Sequence, residues 1–280
     1  TPLEEKRPDP KEVVQFIKTL NLPFDPRDYQ FIAIMEALHR TRGILLSPTG
    51  SGKSLIIYVL AQYWLQLLTE GLRYPEAGRV LVIVPTTSLV EQMHNDFVQY
   101  GCSEKAIHRI YSGKDKTFSQ AICISTWQSI YKLPKDWYQQ FGMVIGDECH
   151  GFKSKSLMNI MNKATEAKYR YGTTGTLDGT QTHELVLQGL FGKTFKVTTT
   201  KKLQDSGTRA QLNINRLVLD YPSEARRECE QKSYQDEIEY IVTNEKRNRL
   251  IRNLAIDQKG NSLVLFNFVE KHGKPLFDLI

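Results

Sequence analysis

Two short runs hold the residues best suited to chemistry. The first is Pro48-Thr49-Gly50-Ser51-Gly52-Lys53-Ser54, which joins an apolar run, Gly43–Ser47, to the apolar stretch Leu55–Leu68. A bound triphosphate needs inward-pointing backbone N–H groups, a helix N-terminus facing the anion, an ammonium for its β and γ oxygens, and a hydroxyl for Mg²⁺. Gly50 and Gly52 permit the unusual backbone angles, Thr49 and Ser51 lie in the same loop, Lys53 supplies the ammonium and Ser54 the hydroxyl. Ser47 stands where the strict phosphate-loop pattern has its first glycine. The alternative is a plain turn.

The second run is Asp147-Glu148-Cys149-His150, which ends the apolar run Met143–Gly146. Two carboxylates at the carboxyl end of a strand suit a division of labour. Asp147 would hold the metal directly or through water, and Glu148 would orient and deprotonate an attacking water. Lys53, Asp147 and Glu148 are thus the catalytic candidates, with Ser54 and Asp147 on the metal. A solvated acidic cap is the plainer alternative. His150 is either an ordinary loop histidine or a relay to a neighbouring motif. Cys149 has no basic sequence neighbour to lower its pKa and receives no role.

Hydroxyls recur where strands end: Thr86, Thr87 and Ser88, then Ser112 beside Gly113 and Lys114, then Thr126 and Ser129. Ser and Thr favour helix N-caps, and a cap at an exposed sheet edge is also a site for a phosphate backbone. Trp127 beside a buried strand is expected in the core, and Lys193, Lys196, Lys201 and Lys202 are expected to be solvated.

These residues must be positioned by a sheet. Strands are predicted at Gly43–Ser47, Arg79–Val84, Ile107–Tyr111, Ala121–Ser125, Met143–Gly146 and Tyr169–Thr173. Helices are predicted at Lys53–Leu68, Ser88–Tyr100, Ser154–Thr165 and His183–Leu190. Near-continuous Val, Ile and Leu strands alternating with helices imply a doubly wound, mostly parallel α/β sheet whose ligands sit beyond the strands' carboxyl ends. A helix should precede it, capped at Asp9 with Pro10 and Glu12 in its first turn, and another should run from about Arg27 to Arg40. After a polar stretch near Lys201–Arg209 come a predicted strand, Leu212–Tyr221, helices near Tyr234–Val242 and Glu245–Gln258, and a second strand, Ser262–Phe268. The expected division is a first lobe at 1–205 and the beginning of a second, truncated α/β lobe at 206–280.

Composition limits the alternatives. The 280 residues are 40% hydrophobic and 24% charged, close to the globular average, so disorder, collagen and coiled coil are excluded as the main state. A surplus of 37 Lys plus Arg over 31 Asp plus Glu permits an anionic partner without requiring one. Cys102, Cys123, Cys149 and Cys229 form no Cys-x-x-Cys pair, so reduced thiols are expected, with neither a structural zinc site nor a disulfide framework. The N-terminus lacks the apolar segment of a signal peptide, and the longest apolar stretch falls short of a membrane span. A cytoplasmic protein is expected.

Several motifs together resemble the superfamily 2 helicases and translocases of the DExH-box type. Arg27-Asp28-Tyr29-Gln30 is similar to that family's adenine-reading motif, Val84-Pro85-Thr86-Thr87-Ser88-Leu89-Val90 to motif Ia, and Ser125-Thr126-Trp127-Gln128-Ser129 to its later nucleic-acid contact motif. Asp147-Glu148-Cys149-His150 matches the Asp-Glu-x-His box, and Thr174-Gly175-Thr176 resembles motif III. The stretches VPTTSLVEQM (84–93), DECHGFKSKS (147–156), FGKTFKVTTTKKLQDSG (191–207), KSYQDEI (232–238) and GKPLFDLI (273–280) resemble the phage recombination helicases that act on branched DNA.

The resemblance implies two RecA-like P-loop lobes, with ATP and Mg²⁺ as cofactors and branched DNA (forks, Holliday junctions, R-loops) as partner. It implies adenine contacts from Arg27 and Gln30, and coupling through His150, Thr174, Gly175 and Thr176. It also implies that the small N-terminal DNA-binding domain and the remainder of the second motor lobe are missing here. Arginine fingers contribute roughly 10³ to 10⁵ in rate in related phosphoryl transfer. A chain without them is expected to bind ATP weakly, turn it over slowly and not unwind duplexes. Three other readings share these residues: a DNA-translocating restriction or remodelling subunit, an RNA helicase, and a non-catalytic module that binds DNA and a partner. A P-loop ATPase unrelated to nucleic acid is disfavoured by Gln30, Thr86 and Thr126.

Overall fold

A computed structural model describes residues 8–69, 77–177, 181–207, 210, 213–230 and 232–280. The chain divides into two compact units, residues 1–211 and 212–280.

The first unit is built on seven strands: β1 Arg42–Leu46, β2 Arg79–Val84, β3 Ile107–Ile110, β4 Ile122–Thr126, β5 Phe141–Asp147, β6 Tyr169–Thr174 and β7 Thr194–Lys196. They lie in the order β3-β4-β2-β5-β6-β1-β7, every pair parallel. A parallel sheet needs crossovers, and helices supply them on both faces. Val80, Val82 and Val84 pack with α2 (Asp28–Arg40), α3 (Lys53–Thr69) and α4 (Thr87–Gln99), which α1 (Pro10–Thr19) joins. Leu81 and Ile83 pack on the opposite face with α5 (Trp127–Ile130), α6 (Lys135–Tyr138), α7 (Lys155–Lys163) and α8 (Gln181–Phe191). Double coverage is why β2 reads as unbroken apolar sequence instead of alternating. Helix α1 carries the expected capping box between Asp9 and Glu12.

β7 escaped the sequence reading: three residues pairing with β1 are too few to show a pattern. Helix α9 (Thr200–Asp205) ends the regular elements of the first unit.

The second unit contains α10 (Ser223–Glu230), α11 (Tyr234–Thr243), α12 (Glu245–Ile256), a π-type turn at Val269–Gly273 and α13 (Lys274–Leu279). The predicted helices at 234–242 and 245–258 are present. The predicted strands are not: residues 213–221 and 262–268 form no ladder, and Leu212 lies outside the described residues. Ile214, Val218, Leu263 and Leu265 are at least 75% exposed. β-branched and aromatic composition marks a segment able to pair, but a strand exists only with a hydrogen-bonding neighbour. No described residue of this unit provides one.

The described cysteines are all free, with Cys102, Cys123 and Cys149 buried. No described helix is long and apolar enough to cross a membrane.

Candidate functional site

Parallel strands place all their carboxyl ends on one rim, and both chemical runs arrive there. β1 delivers the phosphate loop, β5 ends in Asp147, and β6, lying between them, ends in Thr173 and Thr174. Lys53 Nζ donates to Glu148 Oε1 at 2.7 Å and stands 4.0 Å from Asp147 Oδ1. The expected convergence of the lysine-bearing loop and the acid pair is therefore present.

The loop's geometry follows from its glycines. Gly50 and Gly52 adopt φ of +81° and +76°, which L side chains rarely take. A Cβ on Gly52 would also overlap Gln30 Nε2, whereas one at Gly50 would meet nothing within 4 Å, leaving the loop's mouth open. Ser47, at the position of the missing glycine, is fully buried and shares a 2.6 Å hydrogen bond with the Ser51 hydroxyl. Its side chain thus braces the loop from within. The carbonyl of Ser51 accepts from Gln30 Nε2 at 3.0 Å and from the Tyr29 hydroxyl at 3.1 Å. Gln30 Oε1 takes the Arg27 N–H at 2.9 Å, and Arg27 Nη1 donates to the Tyr29 hydroxyl at 3.0 Å. Arg27 and Gln30 are therefore brought to the phosphate loop. Gln30 is buried with both ends of its amide engaged, so reading a base requires it to exchange partners.

Asp147 is 8% exposed and accepts from Thr173 Oγ1 at 2.6 Å. Burial pushes its carboxyl above the ordinary range, against the opposing pull of the Thr173 hydroxyl and the Lys53 ammonium. Glu148 sits at φ +49°, ψ +49°, a left-handed conformation that is costly for a side chain of this size. That backbone turn lets two consecutive carboxylates face Lys53 together, which an extended strand forbids. Beyond Glu148, His150 Nδ1 lies 2.9 Å from Thr174 Oγ1 and 3.3 Å from Glu148 Oε2. The Thr174 hydroxyl is positioned to donate to Glu148 Oε2 at 3.4 Å or to the Thr176 carbonyl at 2.9 Å. A Cβ on Gly175 would stand 3.6 Å from the Thr49 amide, so this turn packs directly on the phosphate loop. His150, Thr174, Gly175 and Thr176 thus form one contact chain between the acid pair and the loop.

Ser54 Oγ shares a 2.9 Å hydrogen bond with the hydroxyl of Tyr100, the residue that closes α4. With the Asp147 carboxylate, 4.0 Å from the adjoining Lys53 ammonium, the donors are hard oxygens of the kind Mg²⁺ prefers, and few in number, as befits an ion that keeps waters and phosphate oxygens. The residues fit Mg²⁺ with a nucleotide.

The hydroxyl clusters arrive on the neighbouring strands of the same rim. Thr86 caps α4 and shares a 3.0 Å bond with Ser88, beside exposed Thr87. Thr126 Oγ1 and Ser129 Oγ share a 2.9 Å bond, and Gln128 Nε2 donates to the Pro85 carbonyl at 3.2 Å, tying the two loops together. Ser112 and Gly113, the latter at φ +80°, form the exposed turn after β3. Trp127 packs partly buried against the core and Tyr131, as expected.

The sequence reading missed Tyr29, Ser47, Thr173 and Tyr100. Tyr29 and Ser47 lie within or beside quoted motifs, so a test of their hydroxyl capacity would have found them. Thr173 precedes motif III by one residue. Tyr100 lies 46 positions from its partner and gives no local signal.

The chain is similar to known proteins in sequence and in fold. Residues 23–179 match the family model described as type III restriction enzyme, res subunit. The chain is 39% identical over 268 residues to the ATP-dependent DNA helicase uvsW of Enterobacteria phage T4, covering 93% of this chain and 52% of that protein. It is 29% identical over 150 residues to the DNA 3'-5' translocase XPB2 of Sulfurisphaera tokodaii, covering 54% of this chain and 30% of that protein. The crystal structure of T4 UvsW aligns with a TM-score of 0.61 and 34% identity, over 99% of this chain and 55% of that one. The chain spans about half the length or less of these relatives. With its RecA-like sheet, phosphate loop and Asp-Glu-x-His box, the chain belongs to the type III restriction enzyme res subunit family, within the superfamily 2 DExH-type helicases.

Proposed function

We propose that this chain binds ATP with Mg²⁺ and DNA, as the ATP-hydrolysing part of a helicase or translocase acting on branched DNA. One observation carries the reading: Lys53 and Glu148 meet at 2.7 Å, with the glycine loop and Asp147 at the same rim. The bound nucleotide would supply the phosphoanhydride and Mg²⁺ the charge neutralisation. Lys53, released from Glu148, would carry its ammonium to the phosphate oxygens. Glu148, freed of its counter-ion, would orient a water and accept its proton. Asp147 and Ser54 would hold the metal, while Thr49 to Lys53 cradle the phosphates and Arg27 with Gln30 face the adenine.

His150, Thr174, Gly175 and Thr176 would carry the state of Glu148 toward the rim's other half. There Thr86, Thr87, Ser88, Ser112, Gly113, Thr126 and Ser129 would hold sugar–phosphate backbone. Hydroxyl and amide contacts ignore base identity, as a moving protein requires. We assign residues 1–205 to the first RecA-like lobe and 206–280 to the beginning of a second; the two compact units divide a few residues later, at 211/212.

The test is ATP turnover with forked DNA, wild type against Glu148→Gln. The variant should keep nucleotide binding and lose hydrolysis; wild-type turnover from it would refute the assignment. The family description favours one second reading, a DNA-translocating restriction subunit on the same motor. Nucleotide-dependent binding to forked DNA, blunt duplex and RNA separates the two.

A further inference from the structure

We propose that Tyr100 is a positioning residue for Ser54: its phenolic oxygen accepts a hydrogen bond from the Ser54 hydroxyl, turning the serine lone pairs toward Mg²⁺, and α4 ties that ligand to the Thr86–Ser88 loop. This rests on the ATP reading above.

A serine hydroxyl has one proton and two lone pairs. As a metal ligand it must aim a lone pair at the ion and send its proton to an acceptor elsewhere. The Tyr100 oxygen lies 2.9 Å from Ser54 Oγ, within reach of that proton. The phenol is held in place by its neighbours. Tyr100 is 7% exposed, its ring centroid is 5.5 Å from that of Tyr58, and the edge of Phe24 closes the other contact at 5.8 Å.

Tyr100 also ends a rigid rod. Its N–H donates to the Asp96 carbonyl at 2.9 Å, which makes it the C-cap of α4, and Thr86 is the N-cap of the same helix. Thirteen helical residues span about 20 Å. A displacement of the Thr86–Ser88 loop along this axis therefore moves the tyrosine hydroxyl, and with it the orientation of Ser54. This route runs through α4, whereas the His150–Thr174 chain runs through β6.

The experiment titrates Mg²⁺ against binding of a fluorescent ATP analogue by the full chain, with and without forked DNA. Tyr100→Phe keeps the ring and its packing and removes only the hydroxyl. It should leave affinity in EDTA unchanged and raise the Mg²⁺ concentration at half effect by about 2- to 10-fold, the range expected for one hydrogen bond. DNA should lower that concentration in the wild type and no longer do so in the variant. Tyr58→Phe, which alters the adjacent ring's hydroxyl, should change nothing. In a Ser54→Ala background, Tyr100→Phe should have no further effect on the Mg²⁺ dependence, and an additive effect would overturn the inference.

An unshifted Mg²⁺ requirement in Tyr100→Phe also overturns it. So does an equal loss of affinity with and without Mg²⁺, the mark of a purely structural ring. If the wild type binds no nucleotide, the ATP reading fails and this inference with it. If the wild type binds with Mg²⁺ dependence and the variant matches it, only the role of Tyr100 falls.

Discussion

The carboxyl rim of the sheet has two halves of different character. Around β5, β6 and β1 the side chains are charged, largely buried and locked together: Lys53 on Glu148, Thr173 on Asp147, His150 on Thr174. Around β3, β4 and β2 they are neutral hydroxyls, mostly exposed, bonded to near neighbours in their own loops. Both halves include strands buried along their whole length, β4 in one and β5 and β6 in the other, so the contrast lies in the loops. A triphosphate must be held at one place while bonds break, which rewards preorganised charge. A polymer that slides past must be gripped and released, which rewards contacts of modest strength.

The sharpest way to break this contrast is to remove charge from the first half. Glu148→Gln should lower ATP turnover by about 10²- to 10⁴-fold, the usual contribution of a general base, with nucleotide affinity retained. Gly52→Ala should come next. It incurs about 1–2 kcal/mol of backbone strain and collides with Gln30, so nucleotide affinity should fall by roughly tenfold or more in direct binding. His150→Ala, at the junction of the halves, should spare nucleotide affinity without DNA and reduce the change that DNA makes in it, by a coupling of about 0.5–2 kcal/mol.

In the second half, Thr126→Ala should weaken DNA binding by about 0.5–1.5 kcal/mol. The slope of affinity against salt should stay unchanged, since no cation is removed. A steeper loss, or a changed slope, would mean that this half is also built on charge.

The smallest effect should be an acid sensitivity in the second unit that leaves both halves alone. Burial, then the Arg247 guanidinium 3.0 Å away, hold the His272 imidazole below its ordinary 6.5. The unfolded chain therefore binds a proton at a higher pH than the folded unit. Stability from this group is full above 6.5 and declines as pH falls below it. His272→Gln should flatten that decline in thermal melts and leave nucleotide binding unaltered.

What the sequence showed in advance was what local chemistry demands. Gly50, Gly52 and Lys53 were legible because a phosphate loop tolerates few other residue types there. β2 and β5 were legible because burial on both faces leaves long apolar runs. The strands expected at 212–221 and 262–268 were misread because composition records a capacity to pair, whereas a ladder depends on a partner elsewhere. Ser47 looked like a defect in the motif until its hydroxyl was seen on Ser51. The Tyr100–Ser54 contact was invisible because the tertiary arrangement alone brings together the end of one helix and the beginning of another.

The left-handed backbone at Glu148 sets catalysis and durability against each other. Asparagine occupies that region of conformational space more comfortably than glutamate. Glu148→Asn should thus melt later while losing turnover, and a library screened for heat resistance alone would be drawn to this position and return inactive protein.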